Sequence, residues 1–361
     1  MTVFSKSVLA AAVFCAASFA GAAEVQIYGR IDTGLVYQNF FGDSTKSDSF
    51  TMESGPNTAS RWGIQGSETL NDDVSVKFRL ESRFASETGA LKGNRLFEGS
   101  AYLTVLSQKF GEVSVGRIAG INSGSGIYDH QYAMDPFGGG TYGTALAPVK
   151  SSRMDNMIVY RSPEWAGLRA TVQHSLKTDG VTENDEGVES ESSANRFYAA
   201  GLLWQRGNLK LAGNYEFSDW GKASANARND DRQVLTLGGS YRFEPVTVYV
   251  QTQYFDGVEK LDGFTGTGTT SLKGFGLYAG TEFWFGPSSW KSMVYWRDYE
   301  DESTNLDGSS VGVATKYVWR PSKTIEMYAG AGYAQWDRPA AAGGVLTDKT
   351  VNVFTGMTKY F

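Results

Sequence analysis

The chain has 361 residues, with 43 glycines against 8 prolines, 14% aromatic side chains, one cysteine and a formal net charge of −6. That acidity excludes the basic surface a nucleic-acid partner requires, and a single cysteine excludes an internal disulfide framework. No HExxH, GxSxG, P-loop or CxxC spacing is present, so no metal or cofactor is expected.

The first element is MTVFSKSVLAAAVFCAASFAGAA, with one lysine (Lys6), an apolar run from Val8 to Ala20 and small residues up to Ala22. This pattern predicts a secretory signal peptide over residues 1–22, leaving 23–361 as the exported domain. Cys15 falls inside the apolar run, so the exported part is expected to carry no cysteine. Beyond it no run of eighteen apolar residues offers a membrane-spanning helix.

The exported part begins VQIYGRIDTGLVYQ. Val25, Ile27, Gly29, Ile31 and Leu35 face one way, and Gln26, Tyr28, Arg30, Asp32 and Gln38 the other. This is the period of a strand. A glycine, serine and threonine stretch from Gly42 to Thr58 reads as a loop. ASRWGIQGSETL then alternates again. In VSVKFRLESRF, Val74, Val76, Phe78 and Leu80 oppose Ser75, Lys77, Arg79, Glu81 and Arg83. On a helix those charges would spread around the circumference, whereas on a strand they share one face.

Further strands are predicted near 96–107, 112–118, 154–162, 168–176, 196–206, 209–218, 232–243, 246–255, 273–285, 290–300, 310–320, 325–336 and 350–361, sixteen in all. Short turns, such as Leu70 to Asp73 and Gly286 to Ser289, alternate with long connections. Aromatics such as Tyr241 and Phe243, or Tyr317 and Trp319, gather toward strand ends. Both features favour an all-β, transmembrane antiparallel barrel with aromatic girdles over a soluble sandwich. The longest connection, residues 119–152, is glycine-rich yet holds Tyr128, Tyr132, Phe137 and Tyr142. Large aromatics are of little use to a solvated linker, so this segment is expected to fold into the barrel and narrow it.

VQIYGRIDTGL, SRWGIQGSETL, VSVKFRLES, FGEVSVGR and DNMIVYRSPEWAGL, with a terminal phenylalanine, resemble the general porins of Gram-negative outer membranes, most closely those of β-proteobacteria. The resemblance implies a sixteen-stranded barrel, a homotrimer, an inward-folded third loop at 119–152, and passage of small hydrophilic solutes and ions. It also implies an assembly signal in the last strand, ending at Phe361, for the barrel assembly machinery. Wall arginines of the family fall on Arg61 and Arg153. A third falls near Glu98 or Gly99, a departure that leaves Arg95 as its substitute if that side chain points inward. DPFGG at Asp135–Gly139 is similar to the PEFGG element of enteric porin loops.

Periodicity adds Lys77, Arg79 and Arg83, giving a basic wall of Arg61, Lys77, Arg79, Arg83 and Arg153 opposite the loop acids Asp129 and Asp135. Fixed charges across a narrow water path set up a transverse field that polar solutes tolerate better than apolar ones. The wall leans toward anions. The acids in Asp179 to Glu191 and Asp298 to Asp307 are expected at the outer mouth, in reach of lipopolysaccharide. The competing readings are a substrate-specific channel with Tyr128, Tyr132 and Tyr142 as an aromatic slide, a barrel hydrolase using His130 beside Ser123 or Ser125, and a soluble exported glycan-binding protein. His174 alternates with Ala170 and Val172 and is expected on the apolar face.

Overall fold

A strand with one apolar and one ionic face is stable only where the two faces meet different media. The computed structural model describes residues 24–43, 46–124, 126–138, 148–179, 188–189, 191, 193–221, 231–259, 261, 271–302, 304–339 and 345–361. The signal peptide expected over 1–22 lies outside them. The strands in chain order are β1 (Glu24–Gly42), β2 (Ser47–Ser54), β3 (Arg61–Thr69), β4 (Val74–Arg83), β5 (Ser100–Ser107), β6 (Gly111–Ala119), β7 (Arg153–Arg161), β8 (Leu168–Ser175) and β9 (Arg196–Arg206). They continue as β10 (Leu209–Asp219), β11 (Arg232–Arg242), β12 (Val246–Val258), β13 (Leu272–Phe285), β14 (Ser288–Asp301), β15 (Leu306–Ser322), β16 (Ile325–Pro339) and β17 (Val345–Tyr360). A short helix, α1 (His130–Met134), lies between β6 and β7.

Every strand pairs antiparallel with its neighbours, and the sheet closes where β1 meets β17. β2 pairs with the upper half of β1, from Thr33 to Phe40, and β3 with the lower half, from Glu24 to Arg30. The two are therefore one interrupted stave, and the barrel has the sixteen staves expected. Closure leaves no open sheet edge in lipid, where each unpaired backbone group would cost several kcal/mol. Phe361 completes the seam by exchanging both backbone hydrogen bonds with Gly29, at 2.9 and 3.0 Å. Lumen-facing Asp32 of β1 accepts from Tyr328 Oη at 2.7 Å and from the Thr358 hydroxyl, tying β1 to β16 and β17.

Burial is inverted relative to a water-soluble protein. Ile27 (67% exposed), Val250 (56%), Val294 (55%) and Leu103 (53%) lie on the outer surface, while Glu216, Gln251, Arg297 and Asn352 are fully buried. A soluble sandwich would place these two sets the other way round, which removes the glycan-binding reading. The aromatic girdle is contiguous at one end, with Phe283, Phe285, Tyr317 and Trp290 linked by ring distances of 5.3, 6.0 and 6.1 Å. Phe275 and Trp296 meet edge to face at 5.1 Å nearer the other end. His174 lies on the outer face as expected, stacked on Tyr198 at 4.5 Å.

Three boundaries differ from expectation. The stretch Gly42 to Thr58 is not all loop, because β2 continues the ribbon on Ser49, Thr51 and Glu53 alternating with Phe50 and Met52. Its polarity reflects a ribbon exposed on both faces. The strand expected at 96–107 starts at Ser100, because Lys92–Asn94 forms a 3-10 turn and Gly99 N first meets Glu81 O at 3.0 Å. The strand expected at 310–320 starts at Leu306, so that Asp307 belongs to β15.

Candidate pore constriction

The segment after β6 is held by side chains on the lumen face of the distant staves. Ile121 N donates to Gln173 Oε1 at 2.8 Å, and Asn122 N to Glu216 Oε1 at 3.0 Å. Asn122 Nδ2 reaches Thr236 Oγ1 at 3.1 Å, and Gln131 Nε2 of α1 reaches Gln251 Oε1 at 3.1 Å. Gln253 takes both backbone groups of Val149, accepting from N at 2.6 Å and donating to O at 3.0 Å. Lys291 Nζ donates to Pro136 O at 2.8 Å.

A backbone that leaves the sheet yet is shielded from water needs such partners. Amides suit the task, since each supplies donor and acceptor without a charge to desolvate. Small residues make the seat. A methyl at Gly280 would sit 2.8 Å from Pro136 Cγ, and one at Gly201 would sit 2.6 Å from Ile121 Cδ1.

Of the aromatic slide, Tyr128 is buried, with its phenol pushed upward in pKa by burial, Tyr132 is exposed, and Tyr142 lies outside the described residues. The described tyrosines therefore do not form a continuous track. His130 is buried with its Cε1 against Gly201, and burial plus the Arg161 charge lowers its pKa to about 4. It faces the wall rather than water, a poor placement for hydrolysis. Ser125 lies outside the described residues.

The basic residues fall into two groups. Arg61, Arg83 and Arg153 line a cavity of about 680 Å3 together with Arg30. Lys77 and Arg79 line another of about 380 Å3 with Glu112 and Arg161. Glu81, 2% exposed, joins the groups by pairing with Arg61 at 3.0 Å and Arg79 at 2.9 Å. Arg83 pairs with Glu98 at 3.4 Å, and Arg153 Nε donates to Gly99 O at 2.7 Å. The loop acids are placed differently. Asp129 is exposed at the start of α1, while Asp135 is buried and accepts from Phe137 N at 2.7 Å and Gln131 Nε2 at 3.4 Å. Neither lines the cavity shared by Arg61, Arg83 and Arg153.

Arg95 does not join that cavity; it pairs with Asp155 at 2.7 Å and with Asp179. Arg117 bonds Asp155 at 2.6 Å and Glu98 O at 2.9 Å. Arg30 and Arg117 were not among the expected wall residues. Arg30 was legible, since it alternates with Tyr28 and Asp32 on the polar face. Arg117 was not. Counted from Ser114 it falls on the outer face, but a register shift between Gly116 and Ile118 re-aims it.

The profile of the Gram-negative porin family matches residues 8–338. An outer membrane porin protein of Bordetella pertussis is 28% identical, over 91% of this chain and 94% of its own length. Outer membrane porin protein 32 of Delftia acidovorans is 26% identical over 66% of each chain. In three dimensions the anion-selective porin from Comamonas acidovorans superposes with a TM-score of 0.71 at 19% identity, covering 94% of this chain and all of that one. The family is one of channels, not enzymes, and with the closed, lipid-facing barrel and polar lumen described above, this chain belongs to the Gram-negative porin family and is a protein of the outer membrane.

Proposed function

We propose that the chain forms a water-filled pore for passive diffusion of small hydrophilic solutes and ions, weakly preferring anions, in a homotrimer exported with loss of residues 1–22. The observation that carries this reading is the convergence of Arg30, Arg61, Arg83 and Arg153 on one cavity whose lining includes one carboxylate, Glu259, while Glu81 and Glu98 pair with Arg61 and Arg83 from outside that lining. An excess of guanidinium over carboxylate along a narrow aqueous path raises local anion concentration. Phe137, Gly138 and residues 148–152 of the long segment line the same cavity and narrow the path. Phe361, at the seam, is the terminal residue read by the barrel assembly machinery, and the outer rim meets lipopolysaccharide.

The test is conductance of purified protein in a planar bilayer under a salt gradient. Stepwise ohmic conductance in threes is expected. Replacing Arg61, Arg79 and Arg153 with alanine moves the reversal potential toward cations, lowering the anion-to-cation permeability ratio by roughly two- to fivefold. An unmoved reversal potential excludes these three from the constriction.

A further inference from the structure

Between β2 and β3 the stave breaks for six residues, 55–60, with the sequence GPNTAS. This piece turns into the lumen and reaches staves far away in sequence. Asn57 Nδ2 donates to Glu326 Oε2 at 3.2 Å and to Thr358 Oγ1 at 3.3 Å. Lys316 Nζ of β15 donates to Asn57 Oδ1 at 2.7 Å. Thr58 N donates to Asp32 Oδ2 at 3.3 Å. Pro56 covers lumen-facing Gly34, where a methyl would sit 3.0 Å from its Cγ, just as Pro136 covers Gly280 on the other side.

Two further contacts tie this turn to the candidate constriction. The Ala59 carbonyl accepts from both Arg30 Nε (3.3 Å) and Arg61 Nε (3.2 Å). One backbone oxygen thus holds two guanidiniums of like charge side by side, which unsupported side chains would avoid. Lys316, besides holding Asn57, stands 5.3 Å from the centre of the Phe137 ring. Residues 55–59 and Phe137 line the same 680 Å3 cavity.

We infer that residues 55–60 are a second inward element, facing Phe137 and Gly138 of the long segment across the water path, and that this turn positions Arg30 and Arg61 while Lys316 couples it to Phe137. The inference rests on the lumen being the permeation path, and it places the turn, besides the long segment, among the determinants of aperture and selectivity. Pairing with β1 does not require it, because β2 and β3 each hold their own part of β1.

Cysteine chemistry tests it, since the only cysteine is Cys15. Thr58→Cys, with Ala59→Cys as a second position should the first fail to assemble, is treated in the bilayer with an anionic or a cationic methanethiosulfonate, and mass spectrometry confirms the adduct. Labelling lowers single-channel conductance to roughly two-thirds or less, and the two reagents shift the reversal potential in opposite directions. Lys323→Cys, on the exposed turn between β15 and β16, is the control and labels without either change. Complete labelling at residue 58 or 59 with conductance and reversal potential unchanged, or assembled channels that refuse both reagents, overturns the inference.

Adding Lys316→Met to Thr58→Cys accelerates modification severalfold by removing the anchor on Asn57 Oδ1 and leaving the turn held only through Nδ2. An unchanged rate removes Lys316 as the coupling residue. A wild-type protein that forms no pores defeats the channel reading itself, whereas pores indifferent to adducts at 58 and 59 defeat this inference alone.

Discussion

Along β3 and β4 the lumen face carries arginines that stay partly wet around the buried Glu81, with the Arg79 side chain 32% exposed and Arg83 23%. Along β10 to β12 the same alternation delivers the neutral Thr236, Gln251 and Gln253, each at most 1% exposed, beside a buried carboxylate, Glu216, that is paired with Arg232 at 3.5 Å. The first surface faces water and ions, and the second faces a peptide backbone. A charge left in water costs nothing to desolvate and remains available to a passing ion. A neutral amide covers a backbone N–H and C=O without a buried charge. The sequence period is identical on both sides; the residue chosen at each inward position tells which side must carry a field and which must carry a loop.

The sharpest way to break this comparison is to make equal-sized changes on the two walls. Gln253→Leu strands the buried Val149 N, at about 1–3 kcal/mol, while Val149 O keeps Asn122 Nδ2 at 2.8 Å. Equilibrium unfolding of refolded protein in urea should show that loss, and proteolysis should begin within 119–152. Arg83→Ala removes a pair of partly wet groups and should cost no more than about 1 kcal/mol. Equal losses would end the distinction between the walls.

Glu81→Gln comes next. Its carboxylate is shared by Arg61 and Arg79, and it also accepts from Tyr28 Oη at 3.0 Å. Losing the charge should destabilise the barrel by about 1.5–3 kcal/mol. It should also raise the anion-to-cation permeability ratio, the opposite sign to the arginine variants. A ratio that falls would mean Glu81 acts through geometry rather than through its charge.

The loop side has its own pH dependence. His130, in α1 and not in a spanning strand, has its pKa lowered from 6.5 to about 4 by burial and by Arg161. Above pH 6.5 the docked and released segments both carry a neutral imidazole. As pH falls below 6.5 the released form takes up a proton that the docked form refuses, so docking weakens until about pH 4 and is then constant. At pH 5 the loss is about 2 kcal/mol. Single-channel fluctuations and protease access should therefore rise from pH 7 to pH 5, and His130→Leu should flatten that dependence.

The stave count and the inverted faces were legible because a two-residue period is a property of sequence alone. The same period put Arg79 and Arg83 on the lumen face, and the resemblance put Arg61 there. The period fails where the backbone departs from it. Arg117 sits at a register shift between Gly116 and Ile118 where β7 carries the extra residue, and the turn at 55–60 interrupts a stave, so counting along the chain assigns neither. The Asp135 carboxylate also answers a demand that no spacing reveals, accepting from the Phe137 N–H two residues on. Lumen-facing glycines at 34, 201 and 280 were the missed signal, for each removes a side chain where an inward element comes to rest.

The smallest expected effect separates the two cavities of the basic wall. Lys77 is exposed and lines the 380 Å3 cavity with Arg79, away from the one shared by Arg61, Arg83 and Arg153. Lys77→Glu should leave stability within about 0.5 kcal/mol, as solvated substitutions do. Its reversal of charge should move the permeability ratio less than the loss of Arg61 does, because its field is screened by water over about 8–10 Å at physiological salt. Lowering the salt tenfold lengthens that range roughly threefold, so the Lys77 effect should grow more steeply with dilution than the Arg61 effect. Equal dependence on salt for both residues would place Lys77 at the narrowest point and merge the two cavities into one constriction.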